Sequence, residues 1–161
     1  MSETIREFFR HALATLAYRA AKTMRDAPPG FADFRPGPTS KTPVQIVAHM
    51  GDLIESSSRA AEGNPSWEPQ APQTWEPECA RFFAALKSFD TFLASEDPVK
   101  GDLRLIFQGP VADALTHTGQ LAMLRRLAGS PIGGEGYNVA DIVVGRVGPD
   151  QTPPDPQNEF D

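Results

Sequence analysis

The chain has 161 residues, of which 40% are hydrophobic and 22% are charged. These values are typical of a single soluble globular domain with one hydrophobic core, and they exclude a disordered or fibrous chain. The net charge of −6 and the pI near 5.0 argue against nucleic acid as a partner, because phosphate binding needs a concentrated basic patch.

A single cysteine, Cys79, excludes an internal disulfide and favours a reducing compartment. The N-terminal segment is charged throughout and lacks the apolar run of a signal peptide. The sequence has no run of about 18 apolar residues, so we expect no membrane-spanning helix. These observations together predict a cytoplasmic protein.

Four segments have the periodicity of amphipathic helices. In the first, apolar side chains recur at helical spacing and form one stripe. The stripe consists of Ile5, Phe8, Phe9, Ala12, Leu13, Leu16, Ala20 and Met24. His11 lies off this stripe, and we expect it at the surface.

The second helix begins with a capping box. In the segment TPVQ, Thr42 caps the helix, Pro43 takes the first helical position and Gln45 reaches back to the cap. Gly63 is a typical residue at which a helix ends. Asp52 lies toward the polar side of this helix, and we expect it in solvent.

The third and fourth helices follow the same rules. The third is predicted near residues 76–95, and the fourth from about Pro110 to Ala128, where the sequence GSP ends it. The third buries Cys79, Phe82, Phe83, Leu86, Phe89 and Leu93. The fourth has the stripe richest in leucine, so we expect it at the centre of the bundle.

Three long segments rich in proline and glycine, 26–41, 63–75 and 95–109, connect these helices. Connections of this length either form walls of a binding site or only span a distance, and the sequence leaves both alternatives open. In the second segment, Trp67 and Trp75 either line a pocket or hold the loop on the bundle.

The last part of the chain has a different character. Residues 136–147 are rich in β-branched residues and predict a short strand or hairpin edge, and the tail that follows is acidic and proline-rich. We therefore predict an all-α four-helix bundle with long loops over residues 1–135. A strand-like segment and an extended tail over residues 136–161 complete the predicted organisation.

The fourth helix carries polar residues among its leucines. At about 100° per residue, Asp113, His117 and Gln120 lie on the same side as Leu124 and Leu127. The leucines mark the inward face, so we expect these polar groups inside the bundle. The opposite, outward face holds Thr118, Arg125 and Arg126.

The spacing of Asp113 and His117 predicts a metal site. An i, i+4 pair directs two donor groups at one point, and a buried polar group without a partner would cost about 1–3 kcal/mol. His49, on the inward flank of the second helix, supplies a third ligand, whereas His11 faces away. Two histidines and one carboxylate leave coordination positions open, as catalytic sites do. The spacing also allows a plain ion pair on the helix and a hydrogen-bonded core role for His49.

The segments HTGQLAMLRRLAG and VAHMGDLIE resemble the two short motifs of the DinB/YfiT-like superfamily. The resemblance implies a four-helix bundle with one divalent metal, whose ligands fall on His49, Asp113 and His117. Many members have histidine in place of Asp113 and arginine in place of Thr118. The carboxylate favours zinc or nickel, with manganese or iron as alternatives. Gln120 either orients a ligand or only bonds a neighbouring helix.

The resemblance also carries expectations about function. Members of the superfamily include transferases and isomerases that use a low-molecular-weight thiol, which implies a metal-dependent enzyme of this kind or a hydrolase that activates water. The alternatives are a non-catalytic metal-binding protein of the same fold and an interaction module that uses the acidic tail. A homodimer acting on a small molecule is the further expectation. No catalytic acid, base or nucleophile is identified from the sequence.

Overall fold

Four long helical segments pack around one hydrophobic core, and the all-α class predicted from the sequence is confirmed. The structure is a computed structural model that describes residues 3–160. Residues 1, 2 and 161, the outermost residues of the two predicted segments, lie outside this range. The elements are α1 (Glu3–Met24), α2 (Pro43–Glu62), α3 (Trp75–Ala94), α4 (Leu103–Ile106), α5 (Ala112–Leu127), β1 (Gly134–Glu135) and β2 (Glu159–Phe160). No helix in the described range is long and apolar enough to cross a membrane.

Local chemistry sets both ends of α2. The backbone N–H of Gln45 donates to the hydroxyl of Thr42, and the backbone N–H of Thr42 donates to Oε1 of Gln45 at 3.0 Å. Pro43 follows at the first helical position. Gly63 ends the helix with φ of 92°, a conformation that other residues rarely adopt. The predicted capping box and stop are therefore confirmed.

One face of α1 and one face of α3 form much of the core. The predicted residues of α1 are buried from the second turn onward, namely Phe9, Leu13, Leu16, Ala20 and Met24. Ile5 and Phe8 are exposed, so the buried stripe starts later than predicted, and it also includes Ala14, Ala17 and Tyr18. The predicted phenylalanines and leucines of α3 are buried, Cys79 is half-buried and His11 is exposed.

The fourth helical segment begins at Leu103 and not near Pro110 as predicted. The helix runs through α4, a π-helical turn (Phe107–Val111) and α5 without a break. Pro110 has no N–H, and its ring would collide with the carbonyl four residues earlier in a regular α-helix. The wider π turn accommodates it, which is why the proline lies inside this helix instead of starting it.

The helices α2 and α3 run in the same direction. The ring of Trp75, at the start of α3, lies 5.5 Å from Phe31, which precedes α2 in the chain. Beyond the end of α3, the N–H of Lys100 donates to the carbonyl of Ala61 near the end of α2. The connection between them must therefore return along the whole bundle, about 30 Å for a 20-residue helix. Residues 64–74, here called the crossover, do this without regular secondary structure.

The most buried helix is α2, so the prediction that the fourth helix is central was wrong. Thirteen of the 20 residues of α2 are buried, against five of the 16 residues of α5. The reason is that α2 packs on α3 and α5 and is also covered by the crossover. The leucine content of the helices did not reveal that the crossover covers α2.

The predicted strand within residues 136–147 was also wrong. This segment contains a 3-10 turn, Tyr137–Val139. Val147 is buried and Ile142 packs against the core, whereas Val139 and Val143 are exposed. The strands form on either side of it, where β1 pairs antiparallel with β2. Tyr18 donates its hydroxyl to Glu135 at 2.6 Å, and Lys22 bridges Glu135 and Glu159, so the strand pair is held on α1.

Glycines in the fourth helix and in the turn before it allow a test of the packing. A Cβ added at Gly101 would lie 2.4 Å from the carbonyl oxygen of Ala60, whereas one at Gly119 on α5 would meet nothing within 4 Å. We expect Gly101→Ala to lower the free energy of unfolding by about 1–3 kcal/mol, because the backbone of α2 must shift. Gly119→Ala, the matched control, should raise it by about 0.5–1 kcal/mol. Urea denaturation of both variants measures the difference, and equal values would contradict this packing.

Candidate metal centre

The three residues predicted as ligands lie together between α2 and α5. Nε2 of His49 is 3.5 Å from Oδ2 of Asp113, and Nε2 of His117 is 3.6 Å from Oδ1 of Asp113. The imidazole rings are nearly perpendicular, with centroids 5.0 Å apart. One ligand atom from each residue lies within 4.8 Å of the other two. Two helices far apart in the chain thus bring their donor groups to one point.

This donor set fits a divalent metal. Imidazole nitrogens and a carboxylate oxygen are ligands that zinc, nickel and iron accept. The separations from the carboxylate to both rings exceed an ordinary hydrogen bond of about 2.7–3.2 Å. The three residues therefore face a shared space and are not bonded to one another.

The site lies at the rim of the bundle and not in its core. The side chains of His49, Asp113 and His117 are 29%, 47% and 13% exposed. Gln120 and Leu127 are exposed as well. The prediction that this face of the fourth helix points inward was therefore wrong for Asp113, Gln120 and Leu127, whereas Leu124 is buried as predicted.

The inward face of α5 contains residues that the sequence placed outside. Thr118 is buried and donates its hydroxyl to the carbonyl of Ala114 at 2.9 Å. Arg125 is buried because its guanidinium donates to backbone carbonyls at the end of α1, those of Thr23, Arg25 and Asp26. Both polar groups have hydrogen-bond partners inside the protein. The sequence does not show these partners, so polarity alone predicted exposure.

Gln120 contacts a proposed ligand directly. Its carbonyl oxygen Oε1 lies 2.8 Å from Nδ1 of His117 and accepts a hydrogen bond from it. In a neutral imidazole the lone pair is then on Nε2, the nitrogen that faces Asp113. Such a partner fixes the orientation and the tautomer of a metal-binding histidine. Of the two predicted roles of Gln120, the geometry agrees with the one that orients a ligand.

The π-helical turn ends at Val111, two residues before Asp113. Turns of this kind occur often at functional sites, because they change the direction of the side chains that follow. Beside Asp113 is an open depression of about 420 Å³. Its walls include Gly109, which has no side chain, and Ala112, whose side chain is a single methyl group. Asp113 lines this depression, whereas His49 and His117 do not.

The two tryptophans of the second connection have different roles. The indole of Trp67 lies against His49, with ring centroids 5.7 Å apart and planes at 77°, and it is 51% exposed. Trp75 packs on Phe31 away from this site. The crossover therefore both spans the bundle and forms a wall of the candidate centre.

Asp52, predicted in solvent, is buried, because the crossover covers the side of α2 on which it lies. Its carboxylate accepts from the backbone N–H of Gln70 and forms an ion pair of 2.9 Å with Arg81. Arg81 also pairs with Glu55 and with the fully buried Glu78. Burial lowers the pKa of Arg81, but its hydrogen bonds to Glu78 and Asp52 outweigh this and raise it above the ordinary value.

Cys79 does not belong to the candidate centre. It lines a larger cavity of about 930 Å³ between the end of α1 and the start of α3, as do Met24 and Lys87. Burial, together with the charges of Glu76 and Glu78, raises the pKa of its thiol to about 12. A thiol in this state is not a nucleophile, because the thiolate is the reactive form.

Comparisons with models of known protein families, with curated proteins and with solved structures found no match to this chain. The case for a function therefore rests on the geometry of the site and on the motifs of the sequence.

The state of Cys79 leads to a reactivity prediction. Its raised pKa of about 12 keeps the thiol almost fully protonated at mildly alkaline pH. We therefore expect slow reaction of the folded protein with a disulfide reagent at mildly alkaline pH. One full equivalent should react once guanidinium chloride unfolds the chain, because an unperturbed thiol has a pKa of about 8.5. Rapid reaction of the folded protein would contradict the burial of this thiol.

The ion network around Arg81 leads to a stability prediction. Arg81→Met leaves the buried carboxylates of Asp52 and Glu78 without their cation, and we expect a loss of about 3–5 kcal/mol of unfolding free energy. The matched control is Arg104→Met, because Arg104 is exposed and, among the described residues, pairs only with Asp102 beside it. Thermal and urea denaturation should show no measurable change for this control. Equal effects of the two substitutions would contradict a structural role of the network.

Proposed function

We propose that this protein is a metal-dependent enzyme of the DinB/YfiT-like superfamily, with one divalent cation held by His49, Asp113 and His117. The observation that carries the proposal is the convergence of three ligand atoms within 4.8 Å of one another. The all-α arrangement of four long helical segments and the two sequence motifs support the family assignment. Zinc or nickel suits the ligand set, with manganese or iron as alternatives.

The location of the site supports a catalytic role over a structural one. The hydrophobic core is formed by other residues of the same helices, so the bundle packs without the three ligands. Asp113 is 47% exposed and borders an open depression. Three protein ligands leave further positions for water or substrate, as in catalytic metal sites.

The proposed reaction class follows from the donors and from the access to the site. A bound divalent cation acts as a Lewis acid that lowers the pKa of a coordinated thiol or water. Gln120 holds the ring of His117 in place, and Asp113 offsets part of the positive charge. These features support a transferase or isomerase that uses a low-molecular-weight thiol, or a hydrolase, acting on a small molecule. A cytoplasmic homodimer is part of the same proposal.

The ligand set is tested by metal content. Purified protein should bind one equivalent of zinc or nickel, measured by elemental analysis and by titration calorimetry. His49→Ala, Asp113→Asn and His117→Ala should each weaken binding by more than about a hundredfold, and Gln120→Ala by about tenfold, because the loss of an outer-shell partner typically costs tenfold to a hundredfold. His11→Ala is the matched control, since this histidine is exposed and lies outside the site.

Unchanged metal content in His49→Ala or His117→Ala would remove that residue from the site. Activity is tested on the metal-loaded protein with electrophiles and a panel of cellular thiols. Turnover that disappears in the same three variants supports the enzyme. Bound metal without turnover of any pair contradicts the catalytic role and leaves a metal-binding protein.

A further inference from the structure

A polar stripe on α2 lies under the crossover. His49, Asp52 and Ser56 occur at positions i, i+3 and i+7, so they share one side of the helix. Such a stripe normally faces solvent, but here each of its members contacts the crossover. The hydroxyl of Ser56 donates to the carbonyl of Ser66 at 3.0 Å, and Asp52 accepts from the N–H of Gln70.

A third anchor comes from α3. The backbone N–H of Gln73 donates to Oε1 of the buried Glu78 at 2.8 Å. The crossover is thus attached at residues 66, 70 and 73, while the side chains of most of its residues are exposed. The first anchor is adjacent to Trp67. The carbonyl of Ser66 also accepts from Arg59 at 3.5 Å, so Ser56 makes the shorter of the two hydrogen bonds at this point.

The exposed part of Trp67 borders the candidate centre. Its ring contacts His49, which in turn lies beside His117 and Asp113. A large aromatic side chain that is half exposed in a rigidly attached loop offers a flat apolar surface. A molecule that bound at the three ligands would lie next to this surface.

We propose that Trp67 is a specificity-determining residue of the site, positioned by Ser56, and that the substrate carries a flat apolar group beside its metal-binding group. The inference rests on the proposed function, because it assumes that the substrate binds at the metal centre. Indole rings stack on aromatic and planar groups. This stacking adds to the binding free energy that comes from the burial of apolar area. In this role Trp67 takes no part in proton transfer. It acts by contact with the substrate.

The position of Trp67 is tested first, without metal. In a Trp75→Phe background, Trp67 is the sole tryptophan of the chain. Quenching of its fluorescence by acrylamide should increase when Ser56→Ala is added, because the shorter of the two hydrogen bonds to the carbonyl of Ser66 is lost. Ser88→Ala, an exposed serine on α3, is the matched control and should leave quenching unchanged. Equal quenching in both variants would overturn the positioning role of Ser56.

The contact with substrate is tested on the zinc-loaded full chain with two metal-binding probes. Benzohydroxamate should bind about fivefold more tightly than acetohydroxamate, as expected for an aromatic pair. Trp67→Ala should abolish this preference, and Trp75→Phe should retain it. Equal affinities of the two probes for the zinc-loaded protein would overturn the role of Trp67 alone. Failure of the protein to bind any of zinc, nickel, manganese and iron would overturn the proposed function together with it.

Discussion

The parallel course of α2 and α3 is the constraint on which the rest of the structure depends. A connection between two parallel helices must return along the bundle, and eleven residues, which reach at most about 36–40 Å, are just enough for a helix of about 30 Å. The crossover is therefore nearly extended over α2. This path buries a helix face that would otherwise be solvated, makes α2 the most covered helix and places Trp67 against His49.

The crossover needs polar partners because an extended segment has unpaired backbone groups. Asp52 and Glu78 supply acceptors for it, and Arg81 compensates their charge. Arg81 reaches α2 because Gly51 has no side chain, since a Cβ there would lie 2.9 Å from Cζ of Arg81. A buried network of this kind is weak evidence for stability, but it ties two helices and the crossover in one arrangement. The wall of the candidate centre is thereby fixed relative to α2.

What could be predicted from the sequence was mainly local. The capping box at Thr42, the stop at Gly63 and the buried face of α3 depend on neighbours within a few residues, and all were confirmed. The burial of Asp52 depends on a crossover whose path no local pattern contains. Pro110 shows that a local pattern can also mislead. Proline favours the start of a helix, but here the helix continues through Pro110 by a π turn.

The candidate ligands were found although the face of the helix was assigned wrongly, and the reason is physical. The i, i+4 spacing brings Asp113 and His117 together however the helix is rotated about its axis. A site at the rim needs only an edge of α5 that faces an edge of α2, which is where His49 lies. A site in the core would have required the burial of three polar groups among apolar side chains, which is costly without further partners. At the rim, solvent hydrates the polar groups on one side, so their burial cost is small. The two helices hold the same groups close together on the other side.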